Sequence, residues 1–134
     1  MALKDKYKTF FGLTALEESQ EVQKYTDEET NFGYHDKHDI LKDLYDEIDE
    51  LKEEMFLNEK QDNKQRIFEE LGDVLFVLGN LANRYNIDST DALKHSIKEF
   101  ERRMIYCEEH YNGKLKEAPM EIMLKLWKEA KKNN

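Results

Sequence analysis

Glu70 and Asp73 stand in the stretch EELGDVLFVLGN, one of the most apolar in the chain, where a core-forming helix calls for Leu and Val. At about 100° per residue, Glu70 falls in the same arc as Ile67, Val74, Val77 and Leu81, and Asp73 lies at that arc's margin. An ionised carboxylate placed there loses its hydration unless a cation, an arginine or several donors replace the water, and the unpaired penalty reaches several kcal/mol. Glu70 therefore needs a partner.

A second acid pair supplies one answer. Glu47 lies beside Leu44 and Leu51 at the border of another apolar stripe, with Glu50 one turn further on. Two antiparallel helices carrying Glu47, Glu50, Glu70 and Asp73 would gather oxygen ligands around a hard cation such as Mg²⁺, and without the cation their like charges would repel. Spacing alone does not decide the matter, because acid pairs at i and i+3 recur by chance among the 30 acidic residues, as Glu50 with Glu53 shows. The alternative is a buried ion pair between Glu70 and an arginine such as Arg102 or Arg103. No Glu-x-x-His pair occurs, which argues against a ferritin-like di-iron bundle. His35 and His38 read as surface residues at the start of a helix.

The elements that would position these acids are helices. TALE opens a first helix at Thr14, with Glu17 three residues after a hydroxyl cap, and that helix runs to about Glu29. TNFGYHD interrupts it at Gly33, and Asp36 caps a second helix from Lys37 to about Asn58, with Ile40, Leu41, Leu44, Ile48, Leu51 and Met55 at three- and four-residue steps. The polar EKQDNK is a short connection that returns the third helix antiparallel, from about Lys64 to Tyr85. Its apolar arc covers more than half its circumference, which predicts a central helix packed on more than one side. Asp88 or Ser89 caps a fourth helix that ends at about Tyr111 before NGK, and Pro119 opens a last one through Trp127.

Composition agrees with an all-α fold: an antiparallel bundle of about five helices in a single domain over all 134 residues, with one proline and five glycines. A net charge of -9 disfavours a grip on a nucleic-acid polymer, which needs a clustered basic face. The single cysteine, Cys107, reads as a reduced thiol of a cytoplasmic protein, and no apolar run is long enough for a signal peptide or a membrane span.

DEIDELKEE followed by EELGDVLF resembles the paired acidic motif of the MazG-type nucleoside triphosphate pyrophosphohydrolases, within the all-α NTP pyrophosphatases. EVQKYTDEETNFGYHD is similar to the family segment with Gln-Lys followed by Gly-Phe-Asp-Trp. NIDSTDALKHSIKEFERRMIYCEEH resembles its Asp-capped helix ending in Lys-Phe-x-Arg-Arg, and LWKEAK matches as well. The likeness covers roughly residues 10 to 131. Two positions depart from the family pattern: GYHD replaces the segment bearing the tryptophan, which puts base recognition in question, and Asp46 stands where the first Glu of a Glu-Glu pair is common.

The resemblance implies that Glu47, Glu50, Glu70 and Asp73 bind Mg²⁺, that Lys98 and Arg102 face the phosphates, and that Trp127 with Lys131 contributes to nucleotide binding. Read without it, Lys98 and Arg102 are a solvated face and Trp127 is core packing. The reaction implied is cleavage of a (d)NTP between its α and β phosphates to the monophosphate and pyrophosphate. Glu47 and Glu50 are candidates for the base, with Glu69 assisting from the flank. Related substrates within the same superfamily are dUTP, dCTP and phosphoribosyl-ATP, and the rival class is a non-catalytic helical module that binds nucleotide or a protein. The wide apolar arc of the third helix and the family likeness both point to a homodimer or a dimer of dimers.

Overall fold

A computed structural model describes residues 3–10, 12–34, 36–56 and 63–133. Its regular elements are α1 (Leu3–Lys8), α2 (Ala15–Glu29), α3 (Lys37–Phe56), α4 (Lys64–Arg84), α5 (Ser89–His110), a 3-10 turn (Leu115–Glu117) and α6 (Met120–Lys132). The described residues contain no strand, so the fold is all-α. The five expected helices are present as α2 to α6. The short α1 and the 3-10 turn were not anticipated, and α6 continues past Trp127 to Lys132. The connection expected over EKQDNK lies outside the described residues except for its last two, Asn63 and Lys64.

Local chemistry explains most of the boundaries. The Glu17 amide donates to Thr14 Oγ1 at 3.4 Å, starting α2. Asp36 Oδ1 accepts from the amides of His38 and Asp39 at 2.7 and 3.2 Å, closing the first turn of α3. The Thr90 amide donates to Asp88 Oδ1 at 2.8 Å, which makes Asp88 the cap of α5. Beyond α5, Gly113 adopts φ +134°, a conformation that side-chain-bearing residues rarely tolerate. Pro119 serves as the N-cap of α6, one position earlier than expected, and its carbonyl accepts from the amides of Ile122 and Met123.

The chain divides into two compact units, Met1–Thr90 and Asp91–Asn134. In the first, α4 packs against both α3 and α2. Asn63 Nδ2 donates to the Glu54 carbonyl, Arg66 approaches Glu54 at 3.9 Å, and Glu47 lies beside Glu70 and Asp73. Advance along α3 therefore matches retreat along α4, so the pair is antiparallel. The core of this unit contains Ile40 and Val77, joined by the buried amides of Gln20, Gln23 and Asn80.

Those amides fix α2 to α4. Gln20 Nε2 donates to Asn83 Oδ1 at 3.0 Å and to the Ile87 carbonyl at 2.8 Å, while its Oε1 accepts from the Ser89 amide at 2.8 Å and hydroxyl at 2.6 Å. Asn83 Nδ2 returns a bond of 2.9 Å to the Gln20 carbonyl. Central as it is, α4 leaves much of its apolar arc uncovered: Phe68 is 70% exposed, Leu71 48% and Leu75 50%.

In the second unit, Cys107, Leu126 and Ala130 are buried. The rings of Phe100 and Trp127 meet at 5.6 Å between centroids, and Arg103 lies over the Trp127 ring at the same distance.

Candidate metal and nucleotide site

The side chains of Glu47, Glu70 and Asp73 each offer an oxygen, and the oxygens lie within 4.8 Å of one another. Glu50 stands close to both Glu47 and Glu70, and its carboxylate is among the causes that raise each of them. All four acids singled out in the sequence are thus brought together where α3 and α4 face each other. Helix geometry explains the meeting: Glu47 and Glu50 occupy neighbouring turns of one face of α3, and Glu70 and Asp73 do the same on α4.

Burial makes this cluster costly. Glu47 Oε2 and Glu70 Oε2 are both buried without a hydrogen-bond partner among the described residues. Desolvation first, then the charges of Glu50 and Asp73, push the Glu47 carboxyl up to about 7. The Glu70 carboxyl is also raised, again chiefly by desolvation and then by Glu50. Arg102 and Arg103, the arginines weighed as partners of Glu70, each pair with Glu99, at 3.2 and 3.5 Å.

Beside the acids opens a cavity of about 840 Å³, lined by Glu47 and Asp73 together with Gln23, Asp27, Tyr34 and Asn80. Tyr34, in the segment that departs from the family pattern, donates its hydroxyl to Asp43, one turn before Glu47. Burial and that carboxylate hold the phenol above its usual range. Asp27 is raised by burial while the Asn80 amide, hydrogen-bonded to it, pulls the other way. His35 lies outside the described residues; His38 is exposed on the first turn of α3, as expected.

Sequence reasoning passed over Gln23, Asp27, Tyr34, Asp43 and Asn80. Asp43 carried a signal, being four residues before Glu47 on the same face, and so did Asn80, seven residues beyond Asp73. Gln20 and Gln23, three apart on a helix poor in apolar residues, carried none until α2 was seen to turn that face inward.

The remaining sequence candidates belong to the second unit. Lys98 and Lys131 are exposed. Arg102 donates to the carbonyls of Asn133 at 2.5 Å and Ala130 at 3.2 Å, tying α5 to the C-terminal end of α6, where a cation also meets the negative end of the helix dipole. Trp127 is half-buried between Phe100 and Arg103. Glu69 is exposed and accepts from Gln65 at 3.4 Å.

Comparison with known proteins returns one family. The model described as "MazG nucleotide pyrophosphohydrolase domain" matches residues 35–108, which holds all four acids. A Bacillus subtilis protein described only as "Uncharacterized protein YabN" is 42% identical over 65 residues, 46% of this chain and 13% of that protein. The Thermotoga maritima "Nucleoside triphosphate pyrophosphohydrolase/pyrophosphatase MazG" is 28% identical over 120 residues, 87% of this chain and 44% of that protein. The chain thus spans less than half the length of either relative.

Proposed function

The chain belongs to the MazG nucleotide pyrophosphohydrolase family, and from that premise we propose that it hydrolyses nucleoside triphosphates between the α and β phosphates, releasing the monophosphate and pyrophosphate with Mg²⁺ as cofactor. The observation that carries this reading is the convergence of Glu47, Glu50, Glu70 and Asp73 with two buried carboxylate oxygens left unsatisfied. A buried anion without a donor is unstable unless a cation or a proton completes it. An all-oxygen donor set of this charge fits a hard divalent ion.

Glu47, Glu50, Glu70 and Asp73 would hold the ion. Bound there, Mg²⁺ supplies charge neutralisation on the phosphate oxygens. The chain's own part is positional. The α3–α4 pair holds the acids at a fixed spacing, the adjoining cavity seats the nucleoside, and a carboxylate of the cluster, Glu47 or Glu50, orients the attacking water and takes its proton. Lys98 and Arg102 offset charge on the polyphosphate in this reading, with Lys131 and Trp127 contributing to nucleotide binding.

The uncovered arc of α4 supports self-association into a homodimer or a dimer of dimers. No described helix is long and apolar enough to cross a membrane. The free, buried Cys107 accords with residence in the reducing cytoplasm.

The deciding experiment is pyrophosphate release from a panel of dNTPs and NTPs with and without Mg²⁺, comparing the protein with Glu70→Ala. Magnesium-dependent release that the substitution abolishes is expected. Absence of release from every nucleotide overturns the reading.

A further inference from the structure

The cavity beside the acids has an unequal supply of hydrogen-bonding groups. Several of its donors are spent within the protein. The Thr26 hydroxyl donates to the Val22 carbonyl at 2.8 Å, which leaves Tyr7 to donate its own hydroxyl to Thr26 Oγ1. Tyr34 donates to Asp43, and Lys42 is held by Asp46 at 3.0 Å. Asn80 is hydrogen-bonded to Asp27.

Gln23 is the telling residue, only 6% exposed. Its Nε2 donates to the Phe76 carbonyl at 2.8 Å and to the carbonyl and hydroxyl oxygens of Ser19, each at 3.1 Å. Three acceptors around one nitrogen fix the orientation of the amide, since a flipped amide would set oxygen against oxygen. Its Oε1 is therefore held in place, and it receives no donor among the described residues. A pinned side chain also loses little entropy when a ligand binds, so its carbonyl is preorganised to accept. With the Asp27 carboxylate on the same wall, the spare capacity of the α2 side consists of acceptors.

The cavity volume suits a nucleoside, and Phe76 and Tyr34 among its lining residues offer aromatic surface to a base. We propose that this wall reads the base of the nucleotide and selects one bearing an exocyclic amino group, cytosine or adenine, over one presenting a keto oxygen in that place, uracil or hypoxanthine, with Gln23 Oε1 as the specificity-determining acceptor. The inference rests on the pyrophosphohydrolase reading only in taking a nucleotide as ligand. An amino group donates to Oε1, whereas a keto oxygen meets it lone pair to lone pair. The mismatch thus forfeits a hydrogen bond and adds repulsion.

The test is calorimetry on the full chain with Mg²⁺ and the non-hydrolysable α,β-imido analogues of dCTP, dUTP, dATP and dITP. Each amino-bearing analogue should bind about tenfold or more tightly than its keto counterpart. Gln23→Met, close in size and without the acceptor, should bring both ratios to within about twofold of one. Equal affinities, a preference for the keto analogues, binding of none of the four, or a folded Gln23→Met variant that keeps the preference would each overturn the proposal. Should Gln23→Met fail to fold, the two ratios in the unmodified protein decide. Pyrophosphate release from the full nucleotide panel, measured separately, judges the reaction. The expected preference without turnover keeps this inference and removes the reaction, and turnover with equal affinities does the reverse.

Discussion

Glu47 on α3 and Glu70 on α4 each bury one carboxylate oxygen, Oε2, without a donor among the described residues, and Glu50 stands close to both. Two helices that pack along their length thus bring like charges together at one place. The packing of α3 on α4 wins, and the residual repulsion is met by protonation in the metal-free protein.

A pH dependence follows. Glu47 is raised from 4.5 to about 7, so the folded protein keeps a proton that the unfolded chain releases. The stability contributed by this group is full below about pH 4.5 and is lost as pH rises through about 7. Mg²⁺ competes with that proton, so millimolar Mg²⁺ should raise Tm more at pH 8 than at pH 5.5. Differential scanning fluorimetry at the two pH values checks this, and equal gains at both would contradict it.

Glu70→Gln removes a charge while keeping the side chain's shape. The substitution should raise the Tm of the metal-free protein at pH 8, because the repulsion with Glu50 and Asp73 is relieved. The same protein should lose its magnesium-dependent Tm gain, and its pyrophosphate release should fall at least about 100-fold. A site that gains stability as it loses activity is the signature sought. A variant that is simply less stable in every condition would argue for a structural role.

The sequence made the acids and the helices legible because both are local. Periodicity places Glu70 inside an apolar arc before any fold is known, and caps such as Thr14, Asp36 and Asp88 announce their helices within three residues. The base-facing wall was not legible, since Gln23 acquires meaning only when α2 lies against the Phe76 carbonyl, 53 residues away in the chain. Arg102 shows the opposite difficulty: the resemblance assigns it to phosphate, but its guanidinium also holds carbonyls at the end of α6, contacts no helix period can reveal.

Gln20 offers a test of how α2 is held. Replacing it with Leu fills similar space but strands Asn83 Oδ1, the Ile87 carbonyl and both donors of Ser89. Buried groups left without partners cost about 1–3 kcal/mol each when water cannot reach them. Because all four are part-buried and partly reached by water, a loss of about 3 kcal/mol is expected rather than the full sum, seen as a lower urea midpoint with an unchanged m-value. A loss below about 1 kcal/mol would show that water reaches these groups fully.

Gly79 sets two effects against each other. Alanine is favoured over glycine inside a helix by about 1 kcal/mol. An added Cβ, however, would sit 2.9 Å from Ser19 Oγ and 3.2 Å from Gln23 Nε2, both pinned by their mutual hydrogen bond. Overpacking of this kind costs about 1–3 kcal/mol, so Gly79→Ala should destabilise on balance and weaken nucleotide binding through Gln23. Urea unfolding and calorimetry read the two effects; a more stable variant with unchanged affinity would show that α2 slides to accommodate the methyl.

Phe68 tests the proposed self-association. It is 70% exposed on α4, followed along the helix by Leu71 and Leu75, each about half exposed, so an apolar strip faces outward from the central helix of its unit. Water contact of this extent is unfavourable by roughly 25 cal/mol per Å², and a second copy would remove it. Phe68→Glu places a charge in the middle of such an interface, where burial without a partner is prohibitive, but costs a solvated surface almost nothing. Light scattering and sedimentation velocity at micromolar concentration should therefore show an oligomer for the unmodified protein and a folded, smaller species for the variant. A monomer in both cases removes the proposed dimer, and an unchanged oligomer in both moves its interface to another face.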